Sequence, residues 1–272
     1  MDDVLGARTF GVAGASYDAF MGRYSRPLAD QFADAAGVSE GQRALDVGCG
    51  PGALTAVLVD RLGADAVAAC DPASGFVAEC AARHPGVRVE VAPAESLPFE
   101  DGSFDHALAQ LVLHFVTDPE LAALEMMRVV RPGGRVAACV WDFDEGMAML
   151  RAFWDAALEI DPEAPDEART LRFGRAGEIA QLFEAVGMVD VVESTLRVSS
   201  SYAEFDELWT GFLAGVGPAG AYCASLDDDT RERLRAALFH RLGEPAGSLR
   251  LDAVTRCAVA HTAGDPPTSD HR

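Results

Sequence analysis

Between residues 43 and 142, short apolar runs alternate with stretches in which hydrophobic positions recur every three or four residues. The runs at 43–47, 66–70, 87–91, 104–109 and 135–141 predict strands, and the stretches between them predict helices. Such alternation predicts a parallel sheet with helices on both faces, an α/β, doubly wound fold. Ser74 is expected to cap the helix carrying Phe76, Val77 and Cys80. Asp118-Pro119 is expected to open another, with Leu121 and Leu124 on its inner face. Arg131-Pro-Gly-Gly134 reads as the turn from that helix into the fifth strand.

After Trp141 the pattern changes. Met147, Leu150, Trp154 and Leu158 fall at helical spacing, and a Pro- and acid-rich stretch at 161–167 follows, which together read as an insertion. Residues 175–186 resume as a helix, 188–198 as a long strand and 249–260 as a last strand. Between those strands, Ser201-Tyr-Ala-Glu204 has the spacing of a capping box, with Phe205, Leu208, Trp209, Phe212 and Leu213 as an apolar stripe behind it. A helix over 230–242 ends at Gly243. The pattern predicts a single domain over 1–272 with its core at 37–142, 175–198 and 249–262. Cap insertions are expected at 143–174 and 199–248, a helical segment at 15–36 and a disordered tail at 264–272.

Composition narrows the functional classes. The 272 residues are 49% hydrophobic, enough for a substantial core. The net charge of -21, from 22 basic against 43 acidic residues, makes binding to a nucleic-acid backbone unfavourable. Lys and Asn are absent and Ile occurs only at 160 and 179, a bias that fits codons poor in A and T. No apolar run is long enough to span a membrane and Met1 is followed by Asp2 and Asp3, so a cytoplasmic location is expected. The six cysteines lack C-x-x-C spacing and read as reduced, buried side chains.

The chemistry concentrates in L-D-V-G-C-G-P-G, residues 45–52, where the first strand meets its helix. In open α/β sheets ligands bind at the carboxyl ends of the strands, where strand order reverses. Glycines there allow positive φ and close approach of the backbone to a ligand. Asp71, at the end of the second strand, is placed to accept hydrogen bonds from ribose hydroxyls. These features point to a nucleoside-bearing cofactor. The stretch also satisfies G-x-G-x-x-[GA], so a nicotinamide-dependent oxidoreductase is an alternative, as is a non-catalytic cofactor-binding regulatory protein.

Further segments distinguish these readings. Residues 44–55, Asp71, Ala94-Glu-Ser-Leu-Pro-Phe99 with Asp101-Gly-Ser-Phe-Asp105, and Arg128-Val-Val-Arg-Pro-Gly-Gly134 together resemble the class I S-adenosylmethionine-dependent methyltransferases. Tyr17 to Arg26 is similar to the opening segment of the ubiquinone-biosynthesis-like, methyltransferase type 11-like branch, which acts on small molecules. The resemblance implies a Rossmann-like, seven-stranded sheet whose last strand is antiparallel. It implies S-adenosyl-L-methionine as cofactor, with Gly48, Cys49, Gly50 and Gly52 along its methionine moiety and Asp46 orienting that end. Asp71 and Pro72 would hold the ribose, Ala94 and Glu95 would border the adenine, and Gln110 would face the reactive end. Pro93 stands where family members commonly carry Asp. Tyr24, with Tyr17, is a candidate to close over the cofactor; packing of the stripe Tyr17, Phe20, Tyr24 and Leu28 on the domain is the alternative.

Methyl transfer needs alignment, desolvation and, for some acceptors, a base. His114, just past Gln110, is the candidate base, with a packing role as its alternative. No metal site is expected, because the catechol-type metal set includes an Asn that this chain lacks. The expected acceptor is a small, fairly apolar molecule, and the sequence leaves the oligomeric state open.

Overall fold

The computed structural model describes residues 18–264, so the expectations for Tyr17 and for the tail beyond 264 lie outside the described residues. Seven strands form one sheet: β1 (Ala44–Val47), β2 (Val67–Asp71), β3 (Arg88–Val91), β4 (Phe104–Gln110), β5 (Val130–Trp141), β6 (Val189–Tyr202) and β7 (Leu249–His261). Their order is β3-β2-β1-β4-β5-β7-β6. The pairs among β1 to β5 are parallel, whereas β7 is antiparallel to both β5 and β6. β1 and β4 lie side by side at the point where the order reverses, which opens a crevice beyond their carboxyl ends.

The crossover helices follow from the topology. Right-handed connections running outward from β1 in one direction and from β4 in the other place their helices on opposite faces. They are α2 (Ala53–Leu62), α3 (Ser74–Arg83) and α4 (Pro119–Val129), and α1 (Arg23–Ala36) precedes β1. α1 buries Leu28, Phe32, Ala33 and Ala36 completely and packs on α2 and β6. It ends at Gly37, whose left-handed φ of 71° lets its N–H reach Asp34 O.

Beyond β5 come α5 (Ala148–Ile160), α6 (Glu167–Thr170), α7 (Glu178–Ala185), α8 (Phe205–Leu213), α9 (Gly217–Ser225) and α10 (Asp228–Arg241). α5 packs on α10, and α8 on α9. Phe153 of α5 stacks on Phe212 of α8 with centroids 4.3 Å apart, and Phe20 meets Phe212 edge-on at 5.1 Å. The aromatic stripe therefore joins α5, α8 and the N-terminal segment through a shared core.

Several local expectations are met. Asp118 Oδ1 accepts the Leu121 N–H at 2.9 Å, with Pro119 at the first helical position, and the expected helix over 230–242 is present as α10, which Asp227 caps through Thr230 N.

Others are corrected. Leu121 and Leu124 are 43% and 42% exposed, and the buried face of α4 is Ala122, Ala123, Met126 and Val129, whose alanines let the helix sit close to the sheet. Ser74 is the first helical residue; the cap position is Ala73, whose N–H is taken by Asp71 Oδ1 at 2.8 Å. Ser201 does not cap a helix, because β6 continues to Tyr202 and pairs Ser201 with Arg250. Glu207 Oε2 instead accepts the Ala203 N–H at 2.6 Å. Residues 131–134 bulge out within β5: Phe104 pairs with Val130 and His106 with Arg135, leaving four residues opposite Asp105. α9 was not anticipated; Pro218 sits in its first turn, where its missing N–H costs nothing. Among the described residues no helix is long and apolar enough to cross a membrane.

Candidate active site

The turn after β1 is built by its glycines. Gly48 N and Cys49 N both donate to Cys70 O, at 2.8 and 2.9 Å, which folds the chain back over the end of β2. Gly48 has φ 72°, and a Cβ there would stand 2.4 Å from Val112 Cγ2, so only glycine fits. Gly50 has φ 51° with no atom within 4 Å of a Cβ position, and it borders a cavity of about 300 Å³ at the lower end of small-molecule sites.

Asp71 closes this end of the cavity. Its Oδ2 accepts the Gly50 N–H at 2.9 Å and its Oδ1 the Ala73 N–H at 2.8 Å. Burial pushes its carboxyl pKa up, and the two backbone donors oppose that shift. Each oxygen retains acceptor capacity for a second donor. Pro72, Pro93, Ala94 and Glu95 form the adjoining wall. Glu95 Oε1 accepts from Thr117 N at 3.0 Å and Asp118 N at 3.3 Å, tying this wall to the segment after β4.

That segment forms the floor. Leu111, a non-glycine residue at φ 63°, turns the chain away from β4 and is held by its N–H to Cys139 O at 2.8 Å. Gln110 donates from Nε2 to Ser25 O at 3.0 Å, while its buried Oε1 has no partner. His114 also lines the cavity; its Nδ1 is buried without a partner, and burial drives its pKa down to about 3. The imidazole is therefore neutral at ordinary pH, which suits hydrogen bonding better than proton uptake.

The structure brings Gly48, Gly50, Asp71, Pro72, Ala94, Glu95, Gln110 and His114 to one cavity. Four expected residues lie elsewhere. Tyr24 is fully buried, its hydroxyl 3.1 Å from Tyr202 Oη and its ring edge-on to Trp141, so it supports the wall from behind. Asp46 is buried and accepts from Thr55 Oγ1 at 2.6 Å, its pKa pushed up to about 7 by burial. Cys49 turns into a small cluster with Ala69 and Cys80. Gly52 faces His84, whose Nε2 lies 3.1 Å from its carbonyl oxygen.

Sequence reasoning missed the other end of the cavity. Phe20 and Met21, Trp141 and Phe143, Leu150 and residues 216–219 make an apolar roof that contains one acid, Glu167. Glu167 ends the Pro- and acid-rich stretch at 161–167 that read as part of an insertion. The available signal was Trp154, whose indole N–H needs a partner once buried; it donates to Glu167 Oε2 at 2.7 Å. The lining holds three carboxyls and no arginine. It suits a cationic ligand and gives no side-chain counter-charge to a pyrophosphate, which disfavours a dinucleotide.

Comparison with known proteins agrees with this geometry. Residues 45–138 match the family described as Methyltransferase domain. The chain is 42% identical over 103 residues to the demethylmenaquinone methyltransferase of Beutenbergia cavernae, covering 38% of this chain and 42% of that protein. It is 34% identical over 148 residues to the malonyl-[acyl-carrier protein] O-methyltransferase of Erwinia billingiae, covering 54% and 57%. The chain thus spans about half the length of the curated relatives it matches. Among solved structures, a protein of Anaeromyxobacter dehalogenans ascribed to the type II methyltransferases superposes with a TM-score of 0.62 at 22% identity, over 88% of this chain and 97% of that one. Residues 45–138 thus match a methyltransferase domain, and the strand order with its antiparallel β7 and the glycine turn are similar to those of the class I S-adenosylmethionine-dependent methyltransferases.

Proposed function

We propose that this protein transfers a methyl group from S-adenosylmethionine to a small, fairly apolar molecule. The observation that carries the reading is the single cavity running from Gly50 and Asp71 to the apolar roof, which gives cofactor and acceptor adjoining places. The residues present fit the cofactor: Gly50 leaves open space over its backbone, Asp71 has spare acceptor capacity, and the buried Gln110 Oε1 lacks a partner. When bound, the cofactor supplies an activated methyl group on a positively charged sulfur.

In this reading Asp71 accepts from the ribose hydroxyls, Gly48 and Gly50 let the methionine end approach the backbone, and Ala94 with Glu95 flank the adenine. Gln110 offers its unpaired oxygen near the reactive end, while Phe20, Trp141 and Leu150 exclude water and align the acceptor. Neutral His114 serves as a hydrogen-bond partner. Asp46, Cys49 and Gly52 act indirectly by shaping the turn, and Tyr24 by supporting Trp141. Residues 37–142, 175–198 and 249–262 form the catalytic core, with caps at 143–174 and 199–248. Six free, buried thiols support a reducing, cytoplasmic setting.

The test is calorimetric titration with S-adenosylmethionine, followed by a panel of small hydroxyl- and amine-bearing acceptors assayed for S-adenosylhomocysteine release. Binding with turnover of an apolar acceptor supports the proposal. Binding without turnover across the panel favours a regulatory cofactor-binding protein.

A further inference from the structure

Glu167 is a carboxyl held in place inside an apolar roof. Asp166 caps the short α6 by accepting the Ala168 N–H at 3.0 Å, and Arg151 of α5 grips the same Asp166 through both guanidinium nitrogens, at 3.0 and 3.2 Å. Trp154, three residues along α5 from Arg151 and so on the same helix face, fixes Glu167 Oε2 at 2.7 Å. The other oxygen, Oε1, has no hydrogen-bond partner among the described residues, and Glu167 lines the cavity among Leu150, Phe143 and Val216. With one oxygen held by Trp154, the other is left to accept a donor from a molecule in the cavity.

We propose that Glu167 is the specificity determinant of the acceptor site, its free Oε1 accepting a hydrogen bond from a hydroxyl on an otherwise apolar molecule. The assignment rests on the methyl-transfer reading for its biological meaning, but the site itself exists without cofactor. It selects neutral hydroxyl-bearing ligands over anions, because the cavity already holds carboxyls and no arginine. Trp154 is the positioning residue: without its indole N–H, neither oxygen of Glu167 is committed and the free one loses its orientation.

The experiment uses the full chain without cofactor, at about pH 8.5, where a carboxyl whose burial raises its pKa to about 7 is ionised and purely an acceptor. The probes are 2-naphthol and its methyl ether, 2-methoxynaphthalene, titrated by quenching of tryptophan fluorescence. The wild-type protein is expected to bind the naphthol about tenfold more tightly than the ether. In Glu167→Gln the amide oxygen takes the Trp154 N–H and the amide nitrogen faces the cavity, so the preference is expected to vanish or reverse. Equal binding of the two probes to the wild type, or no measurable binding of the naphthol, overturns the proposal whether or not the variant folds. So does an unchanged preference in a folded Glu167→Gln. S-adenosylmethionine is titrated in parallel: its failure to bind contradicts the methyl-transfer reading, while the probe ratio still reports on Glu167.

Discussion

The Gly50 N–H donates to Asp71 Oδ2 across 2.9 Å, locking the turn after β1 to the end of β2. The same carboxylate accepts Ala73 N through its other oxygen, so one side chain shapes the glycine turn and presents acceptors to the cavity. Asp71→Asn separates these duties, because an amide offers only one acceptor oxygen and sets its nitrogen against the second N–H. A loss of about 1–2 kcal/mol is expected in chemical unfolding. Unaltered stability would mean that the turn does not depend on this carboxylate.

Gly48 tests the tightness of the turn. Gly48→Ala places a methyl 2.4 Å from Val112 Cγ2 at a φ of 72°, and about 2 kcal/mol or more of destabilisation is expected. Adding Val112→Ala relieves the clash but not the backbone strain, so the double variant should recover only part of the loss, as thermal melts would reveal.

Glu167 predicts a pH dependence of stability. Burial raises its pKa from the ordinary 4.5 to about 7; neighbouring Asp166 adds to the shift, while the Trp154 hydrogen bond and Arg151 oppose it. Across the cavity stand Asp71, Glu95 and His114. With the folded pKa above the unfolded one, the contribution to stability is fully present below about pH 4 and is lost as pH rises through 7. Glu167→Gln lacks this titration, so its stability relative to wild type should rise between about pH 4 and pH 8, by at most about 3 kcal/mol. Asp46, similarly raised, is common to both proteins and cancels. A difference that stays flat with pH contradicts the assignment.

His114 makes the opposite prediction for rate. With its pKa driven down to about 3, it is neutral throughout the working range and contributes no limb to the pH profile of methyl transfer above about pH 5. His114→Gln should alter the rate without moving any inflection; a limb near pH 6.5 that disappears in the variant would restore the base role.

The glycine-turn end of the cavity was legible in the sequence because its signals are local. Gly48, Gly50 and Asp71 sit at strand ends, where turn geometry and topology assign them a place. Asp118 declared α4 through cap chemistry alone. What remained hidden depends on tertiary packing. An amphipathic stripe cannot tell a cavity wall from a core, so Tyr24 was expected to close over the cavity, whereas Phe20, four residues before it, lines it. Leu121 and Leu124 looked like an inner face, but the alanines beside them make the closer fit. Glu167 read as a loop acid because its partners Trp154 and Phe143 come from other segments of the chain.

The most direct measurement is calorimetric titration of S-adenosylmethionine into the wild-type protein and into Asp71→Ala. The account predicts saturable binding at one site, weakened about 30-fold or more when the Asp71 acceptors are removed, equivalent to about 2 kcal/mol. No binding by the folded wild type, or equal affinity in the two proteins, would contradict it.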